Sequence, residues 1–147
     1  MNTGDKSPAA ARPTREELEA FLHRAFVQSG KRPSILIEEV TDDRVRLRLP
    51  FHDELLRPGG TIAGPVLMSM ADTALYMLVL RNLGLDAAKA ATSNLNMSFL
   101  RRPPAAALLA HGRLLKLGRR LAVGDVSLFS DGNTDPVAHA VVTYALP

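Results

Sequence analysis

The sequence predicts an α+β fold: a mainly antiparallel six-stranded sheet wrapped around one long central helix, with an extra helix at the N-terminus. Three observations carry this. The run Val66–Leu80 is apolar except at Ser69, Asp72 and Thr73, so it reads as a helix buried on most of its circumference. Segments on either side alternate in the two-residue period of half-buried strands, most plainly Val45, Leu47 and Leu49 against Arg44, Arg46 and Arg48. Finally, the order is one short helix, two strands, the central helix and four strands, and 147 residues suit a single domain.

Each element has its own signals. Residues 1–13 hold Ser, Ala, Pro and charges without periodicity and read as a disordered tail, leaving 14–147 as the single domain. Thr14 and Glu17 form a capping box ahead of Leu18, Phe21, Leu22, Ala25 and Phe26 at helical spacing, and Gly30 and Pro33 stop that helix. Ser34–Thr41 and Arg44–Leu49 are strands joined at Asp42-Asp43. Pro50–Gly64 carries Pro58, Gly59, Gly60 and Gly64 and reads as a loop. The central helix starts at Pro65, where a missing N–H costs nothing, and ends at Gly84. Four strands follow at about Ala90–Leu100, Ala106–Lys116, Arg120–Ser130 and Pro136–Ala145, separated by Pro103-Pro104, Leu117-Gly118 and Asp131-Gly132-Asn133.

Composition narrows the chemistry. There is no cysteine, so disulfides, thiol nucleophiles and thiolate metal sites are excluded. His23, His52, His111 and His139 lack metal-ligand spacing, and neither metal nor cofactor is expected. The apolar run is shorter than a bilayer span and contains Asp72, and Met1–Pro8 lacks a hydrophobic signal region, so no membrane association and a cytoplasmic location are expected. Charge is uneven: Ala87–Gly124 contains no acidic residue but holds Lys89, Arg101, Arg102, Arg113, Lys116, Arg119 and Arg120. Such a stretch attracts an anion. With Phe99 its only aromatic it lacks stacking platforms for nucleic acid, so a small phosphorylated ligand fits better, with solvated strand-edge side chains as the plain alternative.

Asp72 stands out because an ionised carboxylate inside an apolar run is expensive unless paired or used. Ser69, Asp72 and Thr73 fall at i, i+3 and i+4 and share a helix face. Two readings stand side by side: a carboxylate satisfied within a core or subunit interface, and a catalytic group.

The order of elements, with Gly59-Gly60-Thr-Ile-Ala-Gly64-Pro-Val-Leu-Met-Ser-Met-Ala-Asp72-Thr-Ala at its centre, resembles the hotdog-fold acyl-CoA thioesterases, especially the phenylacetate-degradation-type (PaaI-like) branch. The likeness spans about Ile35–Ala145 and includes Phe99-Leu-Arg-Arg-Pro103, Leu117-Gly-Arg119 and the Asp131-Gly132 turn. It implies hydrolysis of an acyl-CoA to free acid and coenzyme A by a homodimer or homotetramer with sites across a dimer interface. By position, Gly64 would supply the backbone N–H that polarises the thioester carbonyl, Asp72 the base or nucleophile, and Thr92 a hydroxyl that helps hold the attacking water. The chain departs from the family pattern in two places: Arg57 stands for the usual asparagine, and Ala63-Gly64-Pro65 for His-Gly-Gly.

Residue chemistry is compatible with this. Gly64 offers an N–H at a helix N-terminus without a side chain to block approach. It is eight residues from Asp72, about 12 Å of helical rise, too far for one small carbonyl to meet both within a chain, so a working pair must come from two subunits. Arg57, Ser69, Thr73 and Tyr76 are the remaining substrate-site expectations, with Met68, Leu75 and Val79 beside Tyr76 as lining for the acyl group. Arg101, Arg102, Lys116, Arg119 and Arg120 are the expected partners of the coenzyme A phosphates. Two other functions remain in view: a non-catalytic acyl-CoA binding or sensing protein, and a hotdog hydratase, whose usual catalytic histidine has no counterpart near Asp72.

Overall fold

The computed structural model describes residues 11–26 and 35–147. Helix α1 spans Arg15–Phe26; strands β1 (Leu36–Val40) and β2 (Arg44–Leu49) lead through a 3-10 turn at Asp53–Leu55 to helix α2 (Gly64–Leu83). A second 3-10 turn, Leu85–Lys89, precedes β3 (Ala91–Phe99), β4 (Leu108–Leu117), β5 (Leu121–Ser130) and β6 (Pro136–Ala145). The expected strand bounds shift by at most two residues at each end, and neither 3-10 turn was foreseen, being too short to show a period. The expected stops of α1 at Gly30 and Pro33, and residues 1–10 of the expected tail, lie outside the described residues.

All five strand pairings are antiparallel, in the order β1-β2-β4-β5-β6-β3. The sheet curls around α2, whose Leu67, Leu75, Leu78 and Leu80 are fully buried. Each contributes about 1.5–3 kcal/mol relative to exposure. α2 is long and apolar enough to cross a bilayer by length and composition, but much of it is buried against the sheet: Val45, Leu47, Ala110, Ala122, Val126, Ala140 and Val142 share its core.

Close approach of helix and sheet depends on two glycines. A Cβ on Gly112 would meet Val45 Cγ1 at 2.9 Å and Ala74 Cβ at 3.3 Å. One on Gly124 would meet Leu75 Cδ1 and the Arg113 carbonyl oxygen, both at 2.6 Å. Gly84, at φ +88, ends α2 as expected, its N–H donating to Leu80 O at 2.8 Å.

α1 packs over the β1 end of the sheet. Thr14 caps it as expected, Glu17 N–H donating to Thr14 Oγ1 at 3.1 Å, while the Glu17 carboxylate accepts from the Thr14 hydroxyl at 3.3 Å and not from its backbone N–H; Leu18 and Leu22 insert into the core. Residues 11–13, the end of the expected tail, are held in place: Arg12 pairs with Asp42, and Arg81 donates to the Pro13 carbonyl at 2.8 Å.

Candidate functional site

Asp72 lies half-buried on α2, and two side chains from neighbouring strands reach it. Thr92 Oγ1 donates to Asp72 Oδ1 at 2.6 Å, and Tyr144 OH donates to the same oxygen at 2.8 Å. Thr92 and Tyr144 are register partners across β3 and β6 on the helix-facing side, so the sheet delivers two hydroxyls together. The Tyr144 ring stacks on Tyr76 at 5.6 Å and 11°, and Phe21 from α1 meets Tyr76 edge-on at 6.3 Å. Burial, with the Asp72 charge adding to it, pushes the Tyr144 phenol up, so it is a neutral donor. Burial also raises the Tyr76 phenol, whose hydroxyl donates to Ala88 O at 2.7 Å.

Thr92, expected as a hydroxyl that helps hold the attacking water, donates to Asp72 itself, and beside it Tyr144 is a partner of Asp72 that sequence reasoning missed. The stripe expected at Ser69, Asp72 and Thr73 is split by the burial boundary: Ser69 is exposed and Thr73 is buried. Of the expected acyl lining, Leu75 and Val79 are fully buried in the core, whereas Met68 is exposed and Tyr76 sits beside Asp72's strand partners.

Gly64 is the first residue of α2, so its N–H has no acceptor one turn back within the helix. A Cβ there would meet the Phe99 ring at 3.5 Å, which puts Gly64 near the C-terminal end of β3 while Asp72 sits near the start. The continuous helix keeps the pair about 12 Å apart along its axis. Arg57 is exposed in a tight loop, its N–H donating to Thr61 O at 2.9 Å and its carbonyl accepting from Gly60 N–H at 3.1 Å.

The basic residues separate into two groups. Arg101 and Arg102 follow the end of β3, beside the start of β6, where Arg101 donates to Pro136 O at 2.7 Å. Lys116, Arg119 and Arg120 surround the β4–β5 turn at the opposite end, in line with Ala145 and Ala91. The Phe99 row and the Thr92 row, at Ala138 and Tyr144 of β6, are six residue steps apart, about 20 Å of strand. Adjacent in sequence, these cations do not form one patch within a protomer. Among the described residues no group of three or more His, Cys, Asp or Glu is placed to hold a metal ion.

Known proteins resemble this chain in sequence and fold. Residues 59–137 match the family model described as the thioesterase superfamily. A Halobacterium salinarum protein named as an esterase is 31% identical over 104 residues, 68% of each chain. A structure from Silicibacter sp. TM1040 described as a thioesterase is 41% identical, covers 90% of this chain and 91% of its own, and superposes with a TM-score of 0.81. A Haemophilus influenzae thioesterase structure shares the fold at 19% identity, with a TM-score of 0.79 over 92% of this chain and 91% of its own. The motif surrounding Asp72, the antiparallel sheet curled around α2 and these matches agree: the chain belongs to the thioesterase superfamily and has its hotdog fold.

Proposed function

We propose that the protein hydrolyses an acyl-CoA thioester to free acid and coenzyme A, as a PaaI-like thioesterase whose sites lie between two copies of the chain. The observation that carries this is the Asp72 carboxylate on the partly exposed face of α2, held by Thr92 and Tyr144. In the reaction, Asp72 accepts a proton as water adds to the thioester carbonyl. The oxyanion is held by a backbone N–H at a helix N-terminus. Collapse breaks the C–S bond, and the thiolate takes the proton back from Asp72.

The shared site follows from the free edge of β3. Among the described residues that strand pairs only with β6, and beside it are exposed Met68, Phe99 and Leu100, 41%, 54% and 51% accessible. If two β3 strands pair antiparallel about a two-fold near their middle, Phe99 of the partner subunit comes towards the Thr92 end of the strand. Gly64 of the partner subunit, which packs on that ring, then approaches Asp72. The same two-fold brings Arg101 and Arg102 of the partner subunit towards the end that holds Lys116, Arg119 and Arg120, reuniting the two basic groups where a phosphorylated ligand tail would lie.

Thiol release measured over a panel of aryl- and alkanoyl-CoA substrates tests the activity. Release that disappears in Asp72→Asn is expected; binding of acyl-CoA without release would favour the non-catalytic sensor instead. Added salt should raise KM for acyl-CoA more than for the matching acyl-pantetheine, because only the former carries the nucleotide phosphates. Equal salt responses would remove the cations from the substrate site.

A further inference from the structure

We propose that Tyr144 is a positioning residue for Asp72: with Thr92 it pins one carboxylate oxygen and leaves the other to face the attacking water. The proposal rests on the hydrolytic reading above.

Both donors, at 2.6 and 2.8 Å, reach Oδ1, and among the described residues none reaches Oδ2. A carboxylate held only for stability gains more from donors spread over both oxygens, which together offer about four acceptor sites. Concentrating two strong donors on one oxygen fixes the side-chain torsions and keeps the lone pairs of the other available. For a base that must meet a water within hydrogen-bond reach, that is the useful arrangement.

Tyr144 is suited to this and to little else. A phenylalanine would serve the stack on Tyr76 equally well. The hydroxyl donates to Asp72, to Oδ1 and more weakly to its carbonyl oxygen at 3.2 Å. Burial holds the phenol protonated, so Tyr144 donates and does not compete as a base. The other groups around the carboxylate leave this role to it: Thr92 is uncharged, and Tyr76 directs its hydroxyl away to Ala88 O. A braced path therefore runs from Phe21 through Tyr76 and Tyr144 to the carboxylate.

Tyr144→Phe keeps the ring stack and removes the donor. In a folded variant with parental melting behaviour, kcat should fall about tenfold with KM nearly unchanged. In an Asp72→Asn background the same change should add no further loss, since Tyr144 acts through the carboxylate. Unchanged kcat in folded Tyr144→Phe, or an additional tenfold loss in the Asp72→Asn background, would overturn the proposal. Carbon-13 NMR of the Asp72 carboxyl provides a readout without turnover: its chemical shift at neutral pH should move in Tyr144→Phe, because the carboxyl has lost a hydrogen-bond donor, and an unmoved shift would also overturn it. Should the parent release no thiol from any thioester, the hydrolytic reading fails, while this chemical shift still decides whether Tyr144 positions Asp72.

Discussion

The two edges of the sheet are finished in opposite ways. At β1 the edge is closed by α1: Glu19 accepts the Ile37 N–H at 2.8 Å, and Arg15 donates to the Ile37 carbonyl at 3.0 Å. Charged side chains there satisfy both backbone groups of one edge residue and discourage further pairing. At β3 the helix-facing side ends in exposed Phe99, and Asn94, Asn96 and Ser98 occupy the other side. The closed edge secures a monomer's core. The open edge lies against the carboxylate and its two hydroxyls, so the proposed chemistry and the proposed pairing fall at the same place.

The sharpest way to break this contrast is at the open edge. Asp72→Asn should lower turnover by on the order of 100-fold or more with little change in thermal stability. Gly64→Pro should do the same by removing the N–H. Co-refolding the two variants in equal amounts makes about half the dimers mixed, so about a quarter of all sites regain both groups. Activity above the sum of the separate variants checks the shared site; no gain, with mixed dimers seen by mass spectrometry, excludes it.

Changes at the closed edge should move stability instead. Leu18→Ala removes a fully buried side chain and should cost about 2–5 kcal/mol in denaturant unfolding, undocking α1 from β1. Glu19→Ala leaves the Ile37 N–H without its acceptor and should cost about 1–3 kcal/mol, while kcat per folded molecule is unchanged. A large loss of kcat in folded Glu19→Ala would show that the edges are not independent.

The smallest effect belongs to the middle of the sheet. At Asp125, burial works against the charged form, but hydrogen bonds from His139 and Arg113 outweigh it and hold the carboxyl below its ordinary range. A depressed carboxyl adds stability above its unfolded-state pKa and loses it as pH falls through the folded value. Asp125→Asn should therefore flatten the decline in stability below about pH 4 and cost under about 1 kcal/mol at neutral pH, by thermal melts across pH.

How much was legible follows the range of each signal. β2, β5 and β6 announce themselves because their alternation is local, and Asp72 because one ionisable group interrupts an apolar helix. Tyr144 was silent: its partner lies 72 residues away, and a tyrosine ending an inward row of Ala138, Ala140 and Val142 resembles any core aromatic. The basic stretch was visible as composition but not as geometry. The strand expected at Ala106–Lys116 already carries the chain between its two halves, but a count of charges along the sequence does not show that they end at opposite ends of the sheet. Thr73 reads as a neighbour of Asp72 on the helix, yet the sheet's curvature decides which of the two is covered.

Gly112 and Gly124 impose a further constraint, on how this sequence can change over time. At each, hydrogen alone fits between sheet and helix, so a larger residue becomes tolerable only if its opposite number shrinks, Val45 or Ala74 in one case and Leu75 in the other. At Gly124 the Arg113 carbonyl also blocks, and a backbone oxygen cannot be traded away by mutation. The first position can drift through paired, compensating steps, each passing through a destabilised ancestor. The second has no such route. Divergent descendants of this chain should therefore retain glycine at 124 longer than at 112, a historical asymmetry set by whether the obstacle is a side chain or the main chain.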